Sequence, residues 1–174
     1  MESILKKNAT KEDYMNLPEG APYQLINGEL IMSPAPKANH QRVLLKIATQ
    51  ITNFLDHNNI GIIMIAPMDV HLDEENIFQP DILFISGNNQ HCKVEDWVYG
   101  APDIIFEILS EFNSYYDTKT KFLIYEKYGV KEYFIIDPYD KEVICYKNEN
   151  KKFKEIYKEA GIIQSEILGM QIRF

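Results

Sequence analysis

An acid inside one apolar strand, an acid at the mouth of another and a lysine on the next helix form the chemistry-bearing set of this chain. Glu107 lies within Ile104-Ile105-Phe106-Glu107-Ile108-Leu109. Both alternating faces of that run are apolar, as in a strand covered on both sides. An ionised carboxylate there costs several kcal/mol unless it is paired or bound to a metal. Asp81 follows Pro80 and leads into Ile82-Leu83-Phe84-Ile85. If the two strands are antiparallel neighbours, the start of one lies beside the end of the other, and Asp81 meets Glu107. Two carboxylates held together favour a hard cation with oxygen ligands, magnesium or manganese.

The helix after Glu107 supplies the complement. Asp117, Lys121 and Tyr125 are spaced four apart and share a face. Lys119 is the near competitor, but it points roughly 200° away from Lys121 around a helix axis. It lies instead beside Phe122 and Leu123. Taken singly, each residue has a plainer reading: Asp81 as a turn residue, Glu107 as one half of a structural ion pair, Lys121 as a solvated helix charge. The ordered set of Asp, Glu and Lys on strand, strand and helix is what carries the signal.

The elements that must position this set are readable along the chain. Thr10 caps a short helix through Met15, with Asp13 at its third position. Asn27-Gly28 between two apolar runs predicts a hairpin, because both residues tolerate positive φ. Asn39 is the expected cap of a helix running to about His57, with Val43, Leu44, Ile47, Ile51, Phe54 and Leu55 at helical spacing. Strands are expected at 62–66, 69–72, 82–85, 104–109 and 132–136. A closing antiparallel pair is expected at 143–147 and 153–157. Residues 86–102 read as a loop or short helix around Trp97, and 114–128 as a helix ended by Gly129. The order gives an α/β fold with a mixed sheet, one domain over residues 1–174.

Composition narrows the classes. The net charge of −8, with sixteen lysines and only Arg42 and Arg173 as arginines, excludes a protein that holds nucleic acid by a global positive field. It leaves room for a metal-centred site, where a cation inverts the local sign. Cys92 and Cys145 have no metal-like spacing, and no apolar run approaches the roughly 20 residues that span a bilayer. The expectation is a cytoplasmic protein without membrane contact.

YQLINGELIMSPAP with His40 shortly after, QPDILFIS, GAPDIIFEILS, the DTKTK helix and GVKEYFIIDP together resemble the PD-(D/E)XK nuclease superfamily. More narrowly, they resemble the bacterial restriction endonuclease family long catalogued as a domain of unknown function. The resemblance runs from Tyr23 to Tyr146. It implies a restriction-endonuclease-like α-β-β-β-α-β core, with an added N-terminal hairpin and C-terminal strands. It makes Asp81 the acid of the PD half-motif, Glu107 the second metal ligand and the main-chain carbonyl of Ile108 a third. Leu109 stands where the usual lysine would be, so the resemblance moves that role to Lys121. Glu29 is a further candidate for the metal shell, and His40 matches a recurrent histidine without an assigned role. Where family members often carry Pro-Ser and then basic residues, this chain has Glu111-Phe112 and Tyr115-Tyr116. Those tyrosines could stack on bases or pack in an interface or core.

The implied activity is an endonuclease that uses Mg2+ or Mn2+ to hydrolyse phosphodiester bonds, with DNA as the expected partner. Lys121 stabilises the transition state, and Asp117, Tyr125 and Lys119 support. Cutting both strands of a duplex needs two centres, so a two-fold homodimer is expected, with Trp97 and the C-terminal strands as contacts. Two other readings stand beside it: an inactive nuclease-fold interaction module, and a metal-dependent hydrolase of another phosphoester.

Overall fold

A computed structural model describes residues 4–110 and 115–174. The chain opens with β1 (Ile4–Lys7), α1 (Lys11–Met15) and the hairpin β2 (Tyr23–Ile26) and β3 (Glu29–Met32). Helix α2 (Ala38–Leu55) follows, then β4 (Gly61–Ile65), β5 (Val70–His71), β6 (Ile77–Phe78) and β7 (Ile82–Ser86). Two short strands, β8 (Lys93–Val94) and β9 (Val98–Tyr99), precede β10 (Ile104–Ile108). A π-helical turn (Tyr116–Thr120) runs directly into α3 (Lys121–Tyr128). The rest is β11 (Glu132–Ile136), the long hairpin β12 (Glu142–Glu149) and β13 (Lys152–Ala160), and the closing pair β14 (Ile162–Ser165) and β15 (Met170–Arg173).

The central sheet has the order β13-β12-β11-β10-β7-β4. It is mixed: β10 is parallel to β11 and antiparallel to β7. Successive residues of β10 face opposite ways. Ile104, Phe106 and Ile108 pack with Val43, Leu44, Ile47 and Ile51 of α2. Ile105 packs on the other side with Ile124 and Tyr125 of α3 and with Ile26 and Ile31 of the N-terminal hairpin. Glu107 alternates with Phe106 and Ile108, so it is directed to the α3 face. That single parity decides the chemistry, because it aims a carboxylate at the helix that carries Lys121. The N-terminal hairpin belongs to a second sheet, β1-β3-β2-β6-β5-β9-β8, on this same side.

Several local expectations hold. Thr10 and Asp13 form a reciprocal capping box on α1, Asn27 and Gly28 turn the hairpin at φ of 49° and 70°, and Gly129 ends α3 in the left-handed region. Others need correction. The N-cap of α2 is Lys37, with no side-chain cap. Asn39 lies inside the first turn, and its amide donates to the carbonyl of Pro138, tying the helix start to the β11–β12 turn. The segment 86–102, read as a loop or short helix, holds the short strands β8 and β9. Ser114, where the third helix was expected to begin, and Glu111-Phe112 lie outside the described residues, and the described part of that helix starts as a π turn. Among the described residues no helix is long and apolar enough to cross a membrane.

Close packing at the sheet edge gives one stability prediction. A Cβ on Gly61 would fall 2.3 Å from the carbonyl oxygen of Ile85 and 2.7 Å from the Phe84 ring. Gly61→Ala should therefore lower the unfolding free energy by about 1–3 kcal/mol, as overpacking does. Urea unfolding measures it, and a midpoint equal to the parent's would contradict the packing described.

Candidate active site

The register of β7 and β10 builds the site. Ile104 pairs with Phe84, Ile105 with Leu83 and Phe106 with Ile82. Extending that ladder by one step sets Glu107 opposite Asp81. The Asp81 carboxylate completes the ladder in place of backbone: its Oδ2 accepts the Ile108 N–H at 2.7 Å. In an extended strand the N–H and C=O of one residue point to the same side, so the Ile108 carbonyl is also directed toward Asp81. The same Oδ2 lies 3.1 Å from His40 Nε2, which α2 delivers from the opposite side of the sheet. The expected meeting of Asp81, Glu107 and the Ile108 main chain is thus present, and His40 has a concrete place beside Asp81.

The π turn and α3 supply the rest. Lys121 Nζ donates to Glu107 Oε1 at 3.0 Å and lies 3.0 Å from Asp117 Oδ1. The Tyr125 hydroxyl donates to the same Glu107 oxygen at 3.1 Å. Tyr133 on β11 donates to the main-chain carbonyl of Asp117 at 2.8 Å, which fixes the π turn over the sheet. Glu107, Asp117 and Lys121 are each 2% exposed. Lys119 is on the exposed side of the turn. Glu29 is elsewhere: it faces Lys7 at 3.9 Å on β3 and lines no part of the cavity described below.

Burial sets the electrostatics. Desolvation pushes the Glu107 carboxyl up to about 8, against the pull of Lys121 and with the added push of Asp117 and Asp81. Asp117 is raised for the same first reason. Lys121 is also desolvated, but Asp117 and Glu107 outweigh burial and hold its ammonium charged well above its ordinary range. His40 is desolvated too, and the hydrogen bond and charge of Asp81 overcome that and raise it. The cluster thus gathers three acids, Asp81, Glu107 and Asp117, around Lys121 and His40.

These groups floor a cavity of about 450 Å³. Its walls come from residues 20–22, the loop 33–37, Ala66-Pro67 and Pro138-Tyr139. Sequence reasoning missed Gln24. It is 4% exposed on β2, donates to Ser33 at 3.2 Å and accepts the Gln79 N–H at 3.0 Å, locking the wall to the segment that carries Asp81. The signal was available: Gln24 interrupts an apolar strand as Glu107 does.

The donor set suits a hard cation. Asp81, Glu107 and the Ile108 carbonyl are all oxygen donors on one cavity floor, in a cluster with an excess of acids. Among the described residues no three His, Cys, Asp or Glu side chains are gathered as a ready-made cage. Two carboxylates and a carbonyl match an ion that keeps several of its waters.

A mixed sheet with two acids at adjoining ends of antiparallel strands, one of them paired with a lysine from the next helix, matches the PD-(D/E)XK class of fold. Residues 11–173 match the family model of Uma2, described as a putative restriction endonuclease, and the chain belongs to that family. Its fold is similar to that of a putative nuclease belonging to DUF820 from Anabaena variabilis. The two chains are 19% identical, with a TM-score of 0.75 over 92% of this chain and 90% of that one. No curated protein matches the chain.

Proposed function

We propose that the chain is a metal-dependent endonuclease that hydrolyses phosphodiester bonds of DNA at the Asp81–Glu107–Lys121 site. The observation that carries the reading is the convergence of these three side chains on one cavity floor, from two paired strands and a helix. Asp81, Glu107 and the Ile108 carbonyl would hold Mg2+ or Mn2+. When bound, the ion supplies Lewis-acid polarisation of a phosphate oxygen and lowers the pKa of a water.

The chain's own groups do the rest. Lys121, kept charged by Asp117, stabilises the negative charge that builds on the phosphate oxygens as water attacks. Asp117 and Tyr125 position Lys121 and Glu107 against each other. His40 and the Ile108 N–H orient the Asp81 carboxylate through one oxygen, Oδ2. Attack breaks the P–O3′ bond, leaving a 3′-hydroxyl and a 5′-phosphate, and the proton needed by the leaving oxygen comes from water.

The test is cleavage of a mixed single- and double-stranded DNA pool with manganese or magnesium, beside the Asp81→Asn variant and a chelator control. Metal-dependent cleavage that falls by at least about a thousandfold in the variant is expected for the loss of a charged ligand. Equal rates for parent and Asp81→Asn would remove the reading. An inactive module with this fold would instead show no cleavage and no metal-induced stabilisation.

A further inference from the structure

We infer that the DNA cut at this site is an unpaired strand, drawn singly into the cavity, and not a phosphate in an intact duplex. The inference rests on the nuclease reading above and names its substrate class. Depth is the first observation. Glu107, Asp117 and Lys121 are each 2% exposed and His40 6%, so the chemistry lies below the surface at the floor of a cavity of about 450 Å³. A volume of that order holds one small ligand. It admits one nucleotide and its phosphate, whereas a base-paired duplex presents two strands joined across its full width. Enzymes that act on a recessed nucleotide take it out of the stack or act on single strands.

The walls give the second observation. Pro22, Pro34, Pro36, Pro67 and Pro138 all line the cavity. A proline ring fixes φ and carries no N–H to offer a phosphate. Such walls are stiff, and their rings present apolar surface. The cationic lining is sparse: Lys37 and Lys121, with His40, and no arginine. Duplex binding draws on many phosphate contacts along both strands, and the cavity lining offers only Lys37, Lys121 and His40 toward them. Stacking on apolar and aromatic surface is the alternative source of affinity, and it is open only to unpaired bases.

Tyr139 supplies the third. It lines the cavity yet is 64% exposed, which sets its ring at the rim. Its backbone N–H is held by Asp137 Oδ1 at 2.7 Å, so the turn is ordered while the ring faces outward. A rim tyrosine above a recessed phosphate site is a platform for the base next to the one that enters. An enzyme of this kind cuts one strand per event and does not require the paired assembly expected for a duplex.

The experiment uses the full chain with manganese and three end-labelled DNA substrates of one sequence: single strand, blunt duplex, and duplex with an unpaired gap. Each is run with the parent, Asp81→Asn and Tyr139→Ala, and anisotropy in the presence of calcium measures binding without turnover. The expected result is cleavage of the single strand, and of the gapped duplex only within its gap, at least tenfold faster than the blunt duplex. Tyr139→Ala should weaken single-strand binding at least about fivefold, the lower end for loss of one stacked base, with Tyr139→Phe restoring it. Blunt duplex cut as fast as single strand, with Asp81→Asn inactive on both, would overturn the inference and leave the nuclease reading standing. Cleavage of no substrate above the Asp81→Asn level would overturn both.

Discussion

Lys121→Met is expected to abolish cleavage and to destabilise the folded chain by about 3–5 kcal/mol, the usual cost of removing one partner from a buried ion pair. Lys121 is 2% exposed and holds two carboxylates that are equally buried, Glu107 and Asp117. Without it, both acids must stay charged in a dry site or take up protons. The second course gives the effect a pH signature. In the parent, burial already lifts Glu107 to about 8, and loss of the lysine lifts it further. A carboxyl raised on folding binds more protons in the native state than in the unfolded one, so stability falls as pH rises from its unfolded value through the folded one. Parent and variant should therefore lose stability in parallel between pH 5 and about 8 and diverge above it, so the gap is wider near pH 9 than near pH 5.

A second substitution separates structure from chemistry. Lys121→Met combined with Asp117→Asn removes one of the stranded charges, and should recover much of the stability but none of the cleavage. Urea unfolding at both pH values and cleavage rates on all three proteins make the comparison. Recovery of cleavage together with stability would reduce Lys121 to a structural counter-charge. Lys119→Ala is the control. That lysine is exposed, so its loss should leave stability unchanged and weaken substrate binding modestly at most.

The central pairing was legible because burial is expensive for charge. An acid in an apolar strand asks for partners, and the run 104–109 together with Pro80-Asp81 showed that a shared site would follow if the two strands were antiparallel neighbours, which the β7–β10 register supplies. Periodicity also put Asp117, Lys121 and Tyr125 together, although the turn that holds Asp117 is π-helical. A π turn shifts one hydrogen bond from i+4 to i+5, and nothing in Tyr-Asp-Thr-Lys-Thr announces it. The depth of Lys121 was not legible either. Helix spacing gives direction but not how much chain lies above a residue, and here part of the cover is the Phe78 ring of β6, 5.9 Å from Lys121 Nζ and far away in sequence. That depth changes an expectation: a surface lysine could be deleted without touching metal affinity, whereas this one shares Glu107 Oε1, so its loss alters the charge at a proposed ligand. His40 could be found only by resemblance, because its partner Asp81 is 41 residues away. Asn39 misled as a cap because its amide serves a tertiary contact to Pro138. The two-residue strands β6, β8 and β9 exist only through their sheet neighbours and have no pattern of their own, whereas β5 falls inside the strand expected at 69–72.

Glu107→Gln is expected to erase metal-induced stabilisation while leaving the metal-free protein as stable as the parent or more so. The substitution keeps size and keeps an oxygen to accept from Lys121 and Tyr125, which now approach Glu107 Oε1 at 3.0 and 3.1 Å. Lys121 also keeps Asp117 at 3.0 Å as a counter-charge. What disappears is one buried carboxylate in a cluster with too many, and replacing a poorly compensated buried charge is often neutral or stabilising. The gain should grow as pH rises toward the parent's raised Glu107 value of about 8. It should fade near pH 5, where both side chains are neutral. A metal that binds only the native state adds stability as RT ln(1 + [L]/Kd), about 2.7 kcal/mol at a hundredfold excess over Kd. Thermal unfolding of the parent should therefore shift upward with manganese, and that of Glu107→Gln should not. Asp81→Asn should lose the same shift but pay for it in the metal-free state, because the Asp81 carboxylate also accepts the Ile108 N–H and faces His40. If manganese stabilises Glu107→Gln as much as the parent, Glu107 is no ligand, and its place on the cavity floor serves the fold alone.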